Sequence, residues 1–143
     1  MRLYPPYLGA GVRVEQLEQP RGFLVSMPLT PLNRNIVGTH FGGSLYSMCD
    51  PFLMLILLQA LGRDYIVWDK AASIRFRRPG TGTVTCRITI DDDTIDRIRR
   101  DADTLPSVEP TFTLHIRDEQ DAVVAEIEKL LYVRRKNRDA ADH

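Results

Sequence analysis

The chain has 143 residues, of which 43% are hydrophobic, and its 19 basic and 19 acidic residues give a formal net charge of zero. This length supports one domain with a proper core and argues against two, so residues 1–143 are predicted to form a single domain. The balanced charge gives no general reason to expect nucleic acid or an anionic membrane as a partner, and it favours self-association over a well-solvated monomer.

The two cysteines, Cys49 and Cys86, lie in apolar patterns on different predicted elements. That placement is typical of small buried hydrophobic residues in a reducing compartment rather than of a disulfide framework. The N-terminal sequence MRLYPPYLGAG lacks the apolar core of a secretory signal, so we expect a cytoplasmic protein. No cluster of side chains has the spacing of metal ligands, and we predict neither a metal site nor a separate cofactor.

Apolar residues that alternate in extended stretches predict the strands in chain order. The six strand segments are 12–17, 23–29, 65–78, 84–90, 112–116 and 123–134. In the third, Ile66, Trp68, Ala72, Ile74 and Phe76 are predicted to share one apolar face, which Lys70 interrupts. A change of period over residues 91–103 predicts a short amphipathic helix with an Asp at its start. Antiparallel strands with one helix that covers one face of the sheet make an α+β fold.

The stretch from Asn35 to Leu61 lies between the second and third strands and organises the rest. Its apolar residues have helical spacing, and every residue from Phe52 to Leu58 is apolar. This run is far shorter than the roughly 20 residues of a membrane span, so we predict a helix wrapped by other elements of the fold. Two interpretations of Asp50-Pro51 remain: Asp50 caps a helix that begins there, or one helix from Gly42 or Gly43 continues through Pro51 with a kink. The apolar spacing stays in phase across Pro51, which favours the second.

Residues 35–50 contain Asn35, Gly38, Gly42, Gly43 and Asp50 at the offsets of the pattern Asn-x-x-Gly-x-x-His-Gly-Gly, followed by an acidic residue seven positions later. In this pattern the chain resembles the hotdog-fold thioesterases, particularly the small acyl-CoA thioesterases of the phenylacetate-pathway type and an uncharacterised thioesterase-like branch. The position of the family's His holds Phe41 here, and His40 lies one residue earlier. The resemblance implies a curved antiparallel sheet around one long central helix, in an obligate dimer with two active sites at its interface.

Hydrolysis of a thioester needs a base or a carboxylate nucleophile, and a group that stabilises the oxyanion. The resemblance assigns catalysis to Asp50, Gly42 and Gly43. Unpaired N–H groups of the two glycines at a helix start would suit a developing negative charge, although glycines there also serve tight turns. Asp50 could be the base; its alternatives are a helix cap and a buried ion pair with Lys70. The predicted substrate contacts are Asn35, His40, Phe41 and Arg78, and coenzyme A enters only as part of the substrate.

Gly43 and Asp50 are seven residues apart, which is about 10 Å along a helix and too far for both to touch one thioester carbon. If both act, they come from two chains, so we predict a homodimer or a dimer of dimers that binds an acyl thioester. The leading hypothesis is a thioesterase for an acyl-CoA or another acyl carrier. The alternatives are a non-catalytic hotdog dimer that binds an acyl or aromatic ligand, and a hydratase or dehydratase that uses His40 with an acidic residue across the dimer.

Overall fold

The computed structural model describes residues 11–18, 20–29 and 42–136. Within these ranges the chain forms six strands and three helices. The strands are β1 (Arg13–Glu18), β2 (Arg21–Met27), β3 (Tyr65–Phe76), β4 (Val84–Ile90), β5 (Thr111–Arg117) and β6 (Val123–Arg135). The helices are α1 (Gly42–Ser47), α2 (Phe52–Leu61) and α3 (Asp92–Thr104). No helix of the described ranges has the length and apolarity needed to cross a bilayer.

The strands form one antiparallel sheet in the order β1-β2-β4-β5-β6-β3. The 12-residue strand β3 lies at one edge, and among the described strands it pairs only with β6. This arrangement confirms the predicted α+β class.

Helix α2 packs against the inner face of the sheet. Phe52, Ile56 and Leu57 are fully buried, and the Phe52 ring contacts the Phe23 ring of β2 at a centroid distance of 5.0 Å. The opposite flank is different, because Leu58 is 37% exposed and neighbouring apolar side chains are only partly buried. The curved sheet with the helix packed against it confirms the prediction, and within one chain an apolar flank of α2 remains partly exposed.

The central helix is interrupted at Asp50-Pro51. Cys49 N donates to Tyr46 O at 3.1 Å and Asp50 N donates to Ser47 O at 3.3 Å, so the chain leaves α1 through tight turns. Regular α-helical bonding resumes where Leu55 N donates to Pro51 O at 3.0 Å. Both interpretations of this dipeptide are wrong. The helix does not continue through Pro51, and Pro51 itself occupies the N-cap position of α2 without a side-chain cap.

A β-bulge divides strand β3. Asp69 lies opposite Leu131 of β6, but Ala71 lies opposite Leu130, so Lys70 is an extra residue in the ladder. An extra residue reverses which face the following side chains occupy. The single apolar face predicted for this strand is therefore wrong. Before the bulge, Asp69 lies on the inner face and Trp68 on the outer face, where it stacks on Tyr132 at a centroid distance of 4.4 Å. After the bulge, the inner face carries Ala72, Ile74 and Phe76.

Helix α3 confirms the predicted amphipathic helix. Its N-cap is Asp91, whose carboxylate accepts a hydrogen bond from Thr94 N at 2.7 Å. The buried residues Ile95, Ile98 and Ala102 form its apolar face.

Candidate active site

Asp50 lies in the turn between α1 and α2, and 48% of its side chain is exposed. It is held from β6 by Lys129, whose side chain is fully buried. The Lys129 Nζ atom donates to the backbone O of Asp50 at 2.6 Å and to its Oδ1 at 3.2 Å. One ammonium therefore binds both the main chain and the carboxylate of the predicted catalytic residue.

The predicted ion pair between Asp50 and Lys70 is wrong. Lys70 pairs instead with Glu109 at the surface, where the two side chains are 48% and 41% exposed. The bulge in β3 explains the difference, since it takes Lys70 out of the ladder instead of aiming it at the helix. Asp50 does form an ion pair, as this alternative proposed, but its partner is Lys129 of β6.

Asp69 is the second carboxylate at Lys129. Its Oδ1 lies 3.1 Å from Lys129 Nζ, and 28% of its side chain is exposed. That oxygen is buried and has no hydrogen-bond partner among the described residues, so this contact is an ion pair without hydrogen-bond geometry. When all three groups are charged, two carboxylates share one ammonium and the cluster carries one net negative charge.

Tyr46 adds a hydroxyl to this cluster, four residues before Asp50. Its ring centroid lies 5.9 Å from Lys129 Nζ. Burial raises the pKa of Tyr46, and the charge and hydrogen bond of Asp50 add to that rise while Lys129 opposes it. The hydroxyl therefore stays protonated at neutral pH and serves as a hydrogen-bond donor beside Asp50.

The two cysteines are free and fully buried, as predicted. A hydrogen bond with Cys86 is the main cause that raises the pKa of Cys49 well above its ordinary value, and burial adds to the rise. A thiol in this state is not a nucleophile at neutral pH, although Cys49 precedes Asp50 directly.

The other predicted site residues have different outcomes. Gly42 and Gly43 begin the six-residue helix α1. Arg78 is exposed beyond the end of β3, nine residues from Asp69, which is about 30 Å of extended strand. One chain therefore does not bring Arg78 to its own Asp50. Asn35, His40 and Phe41 lie outside the described residues.

Sequence reasoning missed Lys129, Asp69 and Tyr46. A signal for Lys129 exists in β6, where every second residue from Ala125 to Val133 is apolar except at this position. A lysine in the buried phase of a strand needs a partner inside the protein. The same reasoning applied to β3 identified Lys70 instead. The bulge that takes Lys70 out of the ladder leaves no mark in the alternation of the sequence.

A cleft of about 470 Å³ lies against β3, β5 and β6. Most of its lining comes from the outer face of the sheet, including Ser73, Thr111, Thr113 and Glu128. Lys129 also lines the cleft, but its ammonium binds Asp50 at the inner face of the sheet.

Comparison with protein families matches residues 1–133 to the family described as "Domain of unknown function (DUF4442)". No curated protein matches the chain. Among solved structures, a protein of unknown function from Pseudomonas aeruginosa, described as a probable thioesterase, is 28% identical with a TM-score of 0.76, over 89% of this chain and 85% of that one.

Two more distant structures show the same fold. A thioesterase from Haemophilus influenzae is 14% identical with a TM-score of 0.66, over 94% of this chain and 85% of that one. The E. coli PaaI protein from the phenylacetic acid degradation operon is 19% identical with a TM-score of 0.61, over 91% of this chain and 88% of that one. These similarities confirm the hotdog fold and the resemblance to thioesterase-like proteins.

Proposed function

This chain belongs to the DUF4442 family, and from that premise we propose that it hydrolyses a thioester between an acyl group and coenzyme A or another acyl carrier. In this reaction water attacks the thioester carbonyl, the C–S bond breaks, and the products are a carboxylic acid and a free thiol. Asp50 accepts the proton of the attacking water, or attacks the carbonyl itself to form an anhydride that water then cleaves. The description of the Pseudomonas aeruginosa relative as a probable thioesterase supports the proposal.

The observation that carries the proposal is the setting of Asp50. Its carboxylate is half-exposed, while Met48, Cys49 and Phe52 around it in sequence are fully buried. The Lys129 ammonium fixes one carboxylate oxygen at 3.2 Å. A carboxylate that is open to solvent, held in place and set beside apolar residues has the properties that a base for an acyl thioester requires.

The oxyanion is proposed to bind the backbone N–H of Gly43, at the start of α1, with Gly42 giving the thioester room to approach. Asn35, His40 and Phe41 are proposed to contact the acyl group or the attacking water, and Arg78 the phosphates of coenzyme A. Because Gly43 and Asp50 are seven residues apart in one chain, we propose that Gly43 of one subunit serves Asp50 of its partner.

Two surfaces of the single chain support a dimer. Among the described strands, the long strand β3 lies at the edge of the sheet, and an unpaired edge is a template for pairing with a second chain. It carries Trp68 and Phe76, which are 44% and 56% exposed, and the apolar flank of α2 is partly exposed as well. We expect sedimentation to show a dimer or tetramer at micromolar protein, and a folded monomer at that concentration would contradict the shared site.

The decisive experiment measures thiol release from a panel of acyl-CoA esters. Asp50→Asn keeps the shape of the side chain and removes its charge, so activity should fall about 100-fold or more while the fold survives. The matched control is Asp64→Asn, an exposed carboxylate outside the cluster, which should retain wild-type rates. Wild-type rates in the Asp50 variant would refute its role. Binding of acyl-CoA without thiol release would favour the ligand-binding alternative.

The shared site is tested by mixing two inactive variants, Asp50→Asn and a bulky substitution at Gly43. Random exchange after partial unfolding and refolding makes about half of the dimers mixed, and each mixed dimer has one intact site of two. Activity should therefore recover to about a quarter of the wild-type value. If mass spectrometry shows mixed dimers but no activity returns, the two groups do not serve one site from different chains.

A further inference from the structure

The charge cluster beneath Asp50 is larger than hydrolysis by one carboxylate requires. Lys129 is fully buried, and its ammonium faces three oxygens: the backbone O and Oδ1 of Asp50, and Oδ1 of Asp69. A buried ammonium costs several kcal/mol of desolvation unless such partners compensate it. A residue of this kind in the apolar phase of a strand is therefore expected to have a specific role.

We propose that Lys129 is a positioning residue for Asp50, which fixes the turn and the carboxylate together for hydrolysis; the inference rests on the proposed thioesterase function. Lys129 contacts the main chain of the turn. The break at Pro51 leaves the Asp50 carbonyl without a backbone donor among the described hydrogen bonds. Lys129 supplies that donor at 2.6 Å, so the ammonium holds the turn itself.

Lys129 also contacts the side chain of Asp50. An aspartate in an exposed turn samples several rotamers, whereas a catalytic group must be held within about 0.5 Å of its productive position. Lys129 binds Oδ1 from the buried side, and 48% of the Asp50 side chain remains open to solvent and substrate. The carboxylate is thus fixed on one side and accessible on the other.

Asp69 and Tyr46 are the other neighbours of the Lys129 ammonium. Asp69 belongs to β3, and its Oδ1 lies 3.1 Å from Lys129 Nζ. The centroid of the Tyr46 ring lies 5.9 Å from the same nitrogen. Both keep the ammonium in place, and neither replaces it as the donor to the Asp50 carbonyl. Loss of Asp69 should therefore reduce kcat less than loss of Lys129.

The test compares Lys129→Met with Lys70→Met, since both remove a lysine that forms an ion pair, one at the cluster and one at the surface. Lys129→Met should lower kcat by about 10- to 100-fold with little change in KM, because the substrate surface is intact but the base is loose. Lys70→Met should match wild type in both quantities.

Rescue separates positioning from simple packing. Lys129→Ala lacks the three outer carbons and the nitrogen, which n-propylammonium replaces with charge and n-propanol replaces without charge. Activity that returns with n-propylammonium and not with n-propanol supports the proposal, and equal rescue by both overturns it. A folded Lys129→Met variant with wild-type kcat also overturns it.

A readout without turnover keeps this inference distinct from the proposed function. The carboxyl ¹³C resonance of Asp50 is recorded at neutral pH in wild type, Lys129→Met and Lys70→Met. A resonance that shifts or broadens in Lys129→Met and not in Lys70→Met supports the hold on Asp50 even if wild type hydrolyses no ester, in which case only the proposed function fails. An unchanged resonance in the folded Lys129→Met variant refutes the hold, whatever the wild-type activity.

Discussion

Lys70 and Lys129 lie on neighbouring strands and each pairs with a carboxylate, yet they occupy opposite environments. The Lys70 and Glu109 side chains are 48% and 41% exposed, so water solvates both charges with or without the pair. The Lys129 side chain is fully buried, and its solvation comes from the oxygens of Asp50 and Asp69. The same chemical pair is therefore dispensable at one place and required at the other.

The bulge in β3 separates the two environments. Lys70 is the extra residue of the ladder, and its neighbour Asp69 lies on the inner face beside Lys129. One inserted residue thus places a carboxylate at the cluster and a lysine at the surface. Local register, rather than residue type, therefore decides which charges belong to the candidate active site.

The largest expected effect is on folding stability. Lys129→Met should lower the free energy of unfolding by about 2–3 kcal/mol, less than the roughly 3–5 kcal/mol of a fully buried pair, because the remaining carboxylates are partly exposed. Lys70→Met should change it by less than about 1 kcal/mol. Denaturant unfolding of both variants measures this difference. Equal losses would mean that burial does not distinguish the two lysines.

A double variant gives the next largest effect. Lys129→Met with Asp69→Val removes the ammonium together with the more buried carboxylate and leaves Asp50 to be solvated at its exposed side. Because an apolar pair often replaces a buried ion pair without loss, this variant should be about 1–2 kcal/mol more stable than Lys129→Met alone. Losses that add would contradict the view that the two groups are coupled, and denaturant unfolding measures the outcome.

Much of the fold could be predicted because its signals are local. The alternation of β4 and β6 and the amphipathic pattern of α3 are complete in the sequence, and the structure agrees with them. The break at Asp50-Pro51 could not be predicted, since the apolar spacing is the same whether the helix kinks or stops. At the break, the Asp50 carbonyl accepts a hydrogen bond from Lys129 of β6, which is 79 residues away in sequence.

The candidate site was predictable only in part for the same reason. The position of Asp50 followed from a local pattern of glycines and an acidic residue, whereas its partner depended on strand register. Alternation along β3 indicated Lys70, and the bulge at that residue reversed the face. The lone lysine in the apolar phase of β6 was the better signal, because burial of a charge demands a partner wherever the strand lies.

The smallest expected effect concerns an exposed charge with a defined partner, the N-cap Asp91 of α3. Hydrogen bonds from the Thr94 side chain and backbone N–H lower the pKa of Asp91 from its ordinary value of 3.8. A carboxyl whose pKa is lower in the folded state stabilises the fold above its unfolded pKa, and that contribution is lost as pH falls through the folded pKa. Asp91→Asn keeps a capping side chain but does not titrate. Wild type should therefore be slightly more stable than this variant at pH 7, and the difference should disappear from about pH 5 down to about pH 2.

The measurement is thermal unfolding of wild type and Asp91→Asn across that pH range. Asp91→Ser is the matched control, because serine also caps a helix without titrating and should follow the asparagine variant. The charge advantage of wild type comes from the N–H groups and the dipole at the start of α3, so it should also weaken with added salt. A difference in stability that persists unchanged at pH 2 would mean that Asp91 acts through the shape of its cap and not through its charge. The exposed charge of Asp91 would then contribute even less to stability than the comparison of Lys70 with Lys129 implies.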